Sequence, residues 1–342
     1  MKHFAFLLFL SIILSNCVVK EEENNVKYVD TFPIEKKVYA KDVQWMEPYL
    51  PSGMLQIDSL LIITNLKGKN VFQVYNTNRK KMIYQGGNFG KGPNEFITPL
   101  MMNQYIKKDG CIYFYLWDQS NNLFTIDLNK LILGDNFVIK REKLSTKFGI
   151  QSGLVKLDST ILGFSDGSEG RTFEYNLNSK ETDLWDYYPR IKNMGTYSSY
   201  DLYLLYSAFM AYNDRLNIIL KSYVMYFNQL VFYTPSGNRI RTIKLPKIDY
   251  ILNRENVIDA PSYSFYLQHN DRNIYVSYDD YVGKNQLKYK GSVNVFDWEG
   301  NPVTRYMIEN KVISAFAVDE INRKIYGYAH ESYNYFIVEF DL

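Results

Sequence analysis

One pattern constrains this chain more than any other: six times, a short apolar piece, a polar turn and an alternating strand follow one another. The turn residues recur roughly every 50 to 57 positions, a period typical of propeller blades. They are Asp58, Asp109, Asp158, Asp214, Asp271 and Glu320. Another strand follows each time, and turns such as Glu299-Gly300-Asn301 suit hairpins. The sequence therefore predicts an all-β, six-bladed β-propeller with four-stranded antiparallel blades.

The ring also needs closing, because the last repeat stops at its third strand, Asn334–Leu342. The segment Lys36–Val43 precedes the first repeat, and we expect it to supply the missing outer strand. Such a borrowed strand removes an exposed sheet edge. The propeller domain is accordingly predicted over 36–342.

The N-terminus indicates export. A basic start and an apolar run from Phe4 to Leu14 have the length of a signal peptide, too short for a membrane span. The residues Leu14-Ser15-Asn16-Cys17 resemble a bacterial lipobox, which predicts a signal peptide over 1–16 and lipidation of Cys17. An ordinary secretory signal with an incidental cysteine is the alternative. The polar, charged stretch that follows predicts a flexible tether over 17–35.

The amino-acid composition excludes some classes of function. The chain has 39 basic and 37 acidic residues, so it lacks the basic footprint of a nucleic-acid-binding protein. Its 31 tyrosines and 21 phenylalanines favour strands. Cys111 has no partner in the mature chain, so the fold depends on its core and not on disulfides.

A glycine-rich stretch with a lysine, Gly86–Pro99, raises the question of phosphate binding. Its spacing fits neither a P-loop nor a dinucleotide fingerprint. We interpret it as the link between two blades, with Phe89 and Phe96 wedged between them. Because strands alternate in direction, we expect Lys91 and Glu95 on the face where second strands end.

This stretch and the following "KKDGCIYFYLWDQSNNLFTIDL" resemble the NHL-type repeat. The whole mature chain resembles the TolB-like six-bladed propeller lipoproteins of Bacteroidetes, although 187–206 and 278–290 form long Tyr-rich connections. The resemblance implies the propeller fold and a lipid anchor in the outer membrane, facing the periplasm or the cell surface. It implies no single activity, since propellers host many functions.

Aligning the ends of the second strands gives one polar residue per blade. These residues are Asn65, Asp118, Asp166, Ser222, Asp279 and His330. As a ring around one channel mouth, with Lys91 and Glu95 on the rim, they are candidate ligand-binding residues. Turn capping by the same side chains is the alternative. No cofactor motif occurs, and a divalent cation at this mouth is left open.

Two functions follow. The first is a monomeric, lipid-anchored binding or scaffolding propeller that holds a glycan, a peptide or another envelope protein. The tyrosines would supply amphipathic contact area for that ligand. The second is a propeller hydrolase or lyase that uses Asp118, Asp166, Asp279 and His330 with or without a cation. The poor motif support for catalysis favours binding.

Overall fold

A computed structural model of the chain shows six small sheets arranged as blades around a central axis. The structure describes residues 25–47, 49–118, 120–144, 152–164, 171–185, 187–192, 194–247, 249–279, 291–331 and 334–342. The first strand of every blade packs beside the first strand of the next, and blade 6 returns to blade 1. The fold predicted from the repeats is confirmed.

The chain begins with three short strands: β1 (Val26–Tyr28), β2 (Glu35–Val38) and β3 (Lys41–Asp42). Blade 1 contains β4 to β7 (Pro51–Ile57, Leu60–Asn65, Phe72–Asn76 and Lys81–Gly86). The link to blade 2 carries β8 (Asn88–Phe89) and β9 (Glu95–Phe96). Blade 2 contains β10 to β13 (Pro99–Lys108, Cys111–Asp118, Asn122–Asp127 and Val138–Lys143). Blade 3 contains β14 to β17 (Ser152–Lys156, Thr160–Phe164, Phe173–Asn176 and Thr182–Leu184).

Blade 4 contains β18 to β21 (Ala208–Asn213, Ile218–Tyr223, Gln229–Tyr233 and Arg239–Lys244). Blade 5 contains β22 to β25 (Ser264–His269, Asn273–Asp279, Gly291–Asp297 and Pro302–Ile308). Blade 6 contains β26 to β28 (Ile313–Asp319, Lys324–Glu331 and Asn334–Asp341), and β3 is its outer strand.

Within the described residues, both α-helices lie in the connections between strands. Helix α1 (Leu128–Leu133) joins β12 to β13, and α2 (Ser199–Tyr206) lies in the link between blades 3 and 4. Two 3₁₀ turns occupy Met194–Thr196 and Val257–Asp259. Within the described ranges, none of the helices has the length and apolar character required to cross a membrane.

The N-terminal strap, residues 26–43, closes the ring by running along three blades. Strand β3 pairs antiparallel with β28, which confirms that Lys36–Val43 contains the outer strand of the last blade. Only residues 41 and 42 take that place, because β2 instead pairs in parallel with β25 on blade 5. Strand β1 pairs in parallel with β21 on blade 4.

The packed part of the chain therefore begins earlier than residue 36. Val29 and Phe32, inside the predicted tether over 17–35, are 3% and 6% exposed and belong to the core between blades 4 and 5. The Phe32 ring meets Phe296 at 5.3 Å, and the guanidinium of Arg305 lies over it at 4.5 Å. An apolar anchor in this segment overrides its polar composition, so the tether prediction fails for residues 26 to 32.

The link between blades 1 and 2 is a packed wedge. Phe96 is fully buried, 5.4 Å from Phe72 of blade 1 and 4.8 Å from Phe124 of blade 2, ring centre to ring centre. Phe89 packs at the edge of the same cluster. Gly87 has a φ of +78°, and a Cβ there would lie 2.7 Å from the Phe72 ring. The structure thus confirms the structural reading of this glycine-rich stretch.

Candidate functional site

A cup of about 1110 Å³ opens on the face of the propeller where first strands turn into second strands. This is the face opposite the second-strand ends, because antiparallel strands alternate in direction. The turn residues that mark the sequence repeats surround its mouth. Those lining the cup are Asp58, Asp158, Asp214, Asp271 and Glu320.

The floor of the cup is a β-bulge that reaches across the axis. The register of β10 against β11 shifts between Met101 and Tyr105, which pushes Asn103 out of the blade. The Asn103 Nδ2 group donates to the Leu267 carbonyl of blade 5, opposite blade 2 in the ring. Its Oδ1 accepts from the Tyr266 hydroxyl at 3.2 Å. These bonds close the channel at this level and make the cup a dead end.

The neighbouring residue, Gln104, ties the floor to blade 3. Its Nε2 donates to the Lys156 carbonyl at 2.6 Å, and its Oε1 accepts from the Lys156 amide at 2.9 Å. A side-chain amide thus imitates a strand pairing between two blades. The Tyr266 ring, beneath, lies within 5.8 Å of Phe209 and 5.7 Å of Phe316 and fills the axis.

Three planar side chains of the cup have their orientation fixed by backbone carbonyls, which can only accept hydrogen bonds. Gln268 Nε2 donates to the Met54 carbonyl at 2.8 Å, and Gln56 Nε2 donates to the Asp58 carbonyl at 2.6 Å. His269 Nε2 lies 3.1 Å from the Asn103 carbonyl and must carry the proton. The amide oxygens and His269 Nδ1 are consequently acceptors.

His269 is neutral in this setting. Burial lowers its pKa to about 4, and the bond to Asn103 and the carboxylates of Asp271 and Asp214 oppose this only in part. A neutral imidazole with a protonated Nε2 presents Nδ1 as an acceptor. His269 is the last residue of β22, on the face away from the second-strand ends.

Charges at the mouth are mixed and largely exposed. Lys107 Nζ forms an ion pair with Asp58 at 2.7 Å. Glu320 Oε1 accepts from the Tyr275 hydroxyl at 3.0 Å and also from the side-chain amide of Asn270. The pKa of the Tyr105 hydroxyl is raised by burial and, after the opposing effect of Lys107, by nearby carboxylates, which are those of Asp58, Asp271 and Glu320.

The predicted ring at the second-strand ends occupies the other face. Asn65 and Asp118 are the last residues of β5 and β11 and are both buried. Asp118 Oδ1 accepts from the backbone amides of Ser120 and Asn122 at 3.0 and 3.1 Å. Asn65 Nδ2 donates to Gln73 Oε1 and to its own turn. Both side chains therefore cap the turns that follow them, as the alternative reading expects.

The structure describes the other four residues of the predicted ring only in part. Ser222 is buried within β19, one position before its end. The backbone of Asp279 ends β23, and His330 is the penultimate residue of β27. The side chains of these two residues, and Asp166 entirely, lie outside the described residues. Ligand binding by this ring stays a prediction.

Lys91 and Glu95 lie away from the channel mouth. Glu95 Oε2 accepts from the Gly92 amide at 2.8 Å, and the Gly92 carbonyl accepts from Arg141 of the outer strand β13 at 3.1 Å. Lys91 is exposed on the same loop. The aromatic wedge holds this loop beside the outer strand of blade 2, and ligand binding by Lys91 and Glu95 stays a prediction.

The sequence reading also missed a buried lysine. Lys221 on β19 is 1% exposed, and its Nζ lies 4.9 Å from the ring centres of both Phe164 and Tyr223. Burial lowers its pKa to about 7. The sequence does contain a sign of this burial: by strand alternation, Lys221 lies on the same side of β19 as the apolar Ile219 and Tyr223.

A metal centre finds no support in the part of the chain that the structure covers. There, no group of three or more His, Cys, Asp and Glu side chains is placed to hold an ion.

Known proteins resemble this chain in fold. No family model matches it, and no curated protein matches its sequence. The crystal structure of a DUF4221 family member from Bacteroides vulgatus is similar, with a TM-score of 0.59 and 13% identity over 90% of this chain and 96% of that chain. Raptor from Chaetomium thermophilum has a TM-score of 0.50 and 8% identity, covering 89% of this chain but 29% of Raptor. At these identities the likeness shows a shared propeller fold alone.

Proposed function

We propose that the protein is a binding propeller whose cup holds the end of a glycan. The dead-end cup carries this proposal. Its volume of about 1110 Å³ slightly exceeds the range of roughly 300 to 1,000 Å³ that is usual for small-molecule sites. A closed floor suits the end of a glycan, because an internal segment of a glycan could not pass through the propeller axis.

The lining suits a sugar. Amide side chains such as Gln56 and Gln268 pair with hydroxyl groups, which both donate and accept. Tyrosines supply a flat apolar face with a polar tip, as the two faces of a sugar ring require. Tyr105 is 39% exposed in the cup. Glycans are therefore favoured over peptides and partner envelope proteins, the other classes consistent with the sequence.

A matched pair of tyrosine variants tests the location. Tyr105→Ala removes an aromatic wall of the cup, whereas Tyr200→Ala removes the 61% exposed tyrosine of α2, outside the cup. We expect the purified protein to bind glycans on a mixed glycan and peptide array, Tyr105→Ala to lose that signal and Tyr200→Ala to keep it. Loss only with Tyr200→Ala would move the site to the Tyr-rich link 187–206. Binding to peptides alone would reject the glycan.

We also propose that the protein is a lipid-anchored component of the bacterial outer membrane. The support is the lipobox-like sequence ending in Cys17 and the resemblance to TolB-like propeller lipoproteins of Bacteroidetes. Cells given a labelled fatty acid should incorporate it into the wild type but not into Cys17→Ser. An unlabelled wild type would contradict the anchor and leave the cup proposal untouched.

A further inference from the structure

We propose that the glycan end held in the cup carries a primary ammonium group, as an amino sugar does. This inference rests on the proposed function and names its ligand more closely. An ammonium has three donors and no acceptor, so the site that fits it must offer acceptors.

The deep part of the cup offers acceptors whose own donors are already used. Gln268 is 5% exposed, and its Nε2 group is shared between the Met54 carbonyl and Asn103 Oδ1. Among the described residues, no donor bonds to Gln268 Oε1. Gln56 Oε1 is likewise buried with no hydrogen-bond partner in the described structure. A buried acceptor that is left unpaired carries a desolvation penalty, which a bound donor would remove.

His269 adds a third acceptor at the floor. Its Nε2 hydrogen faces the Asn103 carbonyl, which leaves the Nδ1 lone pair available. The low pKa of about 4 keeps the ring uncharged, so it does not repel a cation. A ligand that presents only acceptors, such as a carboxylate, would gain no hydrogen bond from Gln268 Oε1 or His269 Nδ1.

The charges around the cup also favour a positively charged ligand. The carboxylates of Asp271 and Asp214 act on His269, opposing the effect of burial on its pKa. Asp271 also acts on Tyr105, together with Asp58 and Glu320. In the described part of the chain, five carboxylates and four basic side chains line the cup, so its lining is net negative and attracts a positively charged ligand. Lys107 is paired with Asp58, and the Arg215 guanidinium donates to the Asp271 carbonyl. Lys156 Nζ donates to the Leu157 and Asp158 carbonyls, and Arg272 is exposed.

The test uses three β-1,4-linked oligosaccharides of equal length that differ only at C2. The sugar units are glucosamine, N-acetylglucosamine and glucose, carrying an amine, an acetamide and a hydroxyl. Calorimetry at about pH 6 should show the glucosamine oligomer binding about tenfold tighter than either neutral one, the gain expected from charge-assisted hydrogen bonds. At about pH 9, where the amine loses its proton, that advantage should fall.

Two exposed turn carboxylates provide matched variants. Asp271→Asn removes a charge beside His269, whereas Asp109→Asn makes the same change on the one repeat turn whose carboxylate does not line the cup. We expect Asp271→Asn to reduce the preference for the amine by about threefold or more and Asp109→Asn to leave it unchanged. Thermal melts of both variants check that folding is intact.

The outcomes separate the two proposals. Equal binding of all three oligosaccharides would overturn the ammonium inference and leave the glycan-binding function standing. Binding of none of them, with no other glycan recognised on the array, would overturn both. A lysine-bearing peptide that binds in the cup when the amino sugar does not would assign the ammonium to a peptide and refute the amino sugar.

Discussion

The buried amine of Lys221 makes the stability of the protein depend on pH, and one substitution should remove that dependence. Its pKa is about 7 in the folded protein against 10.5 for an exposed lysine. Between these values the unfolded chain holds a proton that the folded chain lacks, so the free energy of unfolding rises with pH. Lys221→Met keeps an unbranched side chain between Phe164 and Tyr223 and eliminates the charge.

The size of the effect follows from the two pKa values. One proton contributes about 1.4 kcal/mol per pH unit inside this window. From pH 7 to about pH 9 the wild type should gain about 2 kcal/mol that Lys221→Met does not gain. Below pH 7 the lysine is protonated in both states, so the variant should be the more stable protein there by its largest margin.

Urea unfolding followed by tryptophan fluorescence at several pH values between about 6 and 9 measures this gap. The exposed Lys91→Met variant controls for the loss of one positive charge. We expect the difference between the wild type and Lys221→Met to shrink as pH rises. A constant or growing difference would show that the amine keeps its proton in the folded state, and the reasoning from burial would then be refuted.

Three further perturbations test the ring itself. Deleting Lys36–Val43 removes the outer strand of blade 6, so unfolding should lose cooperativity or the protein should aggregate; an unchanged melting curve would show that the ring closes without it. Asn103→Ala should lower the free energy of unfolding by about 2 kcal/mol, because it removes the side-chain hydrogen bonds between blade 2 and blade 5, and a neutral result in urea would mean that the floor is not a brace. Asp319→Ala should cost about 2 to 3 kcal/mol and Asp319→Asn less, since its buried carboxylate accepts from Thr77 of blade 1 at 2.7 Å; equal melting temperatures for the two variants would contradict this.

The repeats predicted the blades well because each blade is a local structure. Its turn residues, such as Asp58 and Asp109, lie a few residues from the strands they join, and both have positive φ angles that aspartate tolerates. Ring closure could also be predicted, because the last repeat has only three strands and needs a fourth from elsewhere in the chain. The strap was predicted to be shorter than it is. The parallel pairing of β1 and β2 with outer strands far along the chain leaves no local sequence pattern.

The site was harder to predict for a physical reason. Polar residues at strand ends, such as Asp118, attract attention in a sequence, but Asp118 Oδ1 accepts from the amides of the turn that follows it. The floor depends on a bulge in β10, and no glycine marks it in the sequence. Its partners on blade 5, such as Tyr266 at 163 residues from Asn103, are far away along the chain. Only the assembled ring brings them together.

The strap also sets the order in which the protein can be completed. Asn310, in the link between blades 5 and 6, holds the backbone of Ala40 through two hydrogen bonds across 270 residues of chain, and the partner of β3 is β28. The strap is thus synthesised before all of its partners, and blade 6 stays incomplete until β3 meets β28. A chain cut short before β28 would leave β3 and the edge of β27 unpaired, which favours aggregation or proteolysis. Only a chain that has been synthesised as far as β28 can cover these edges.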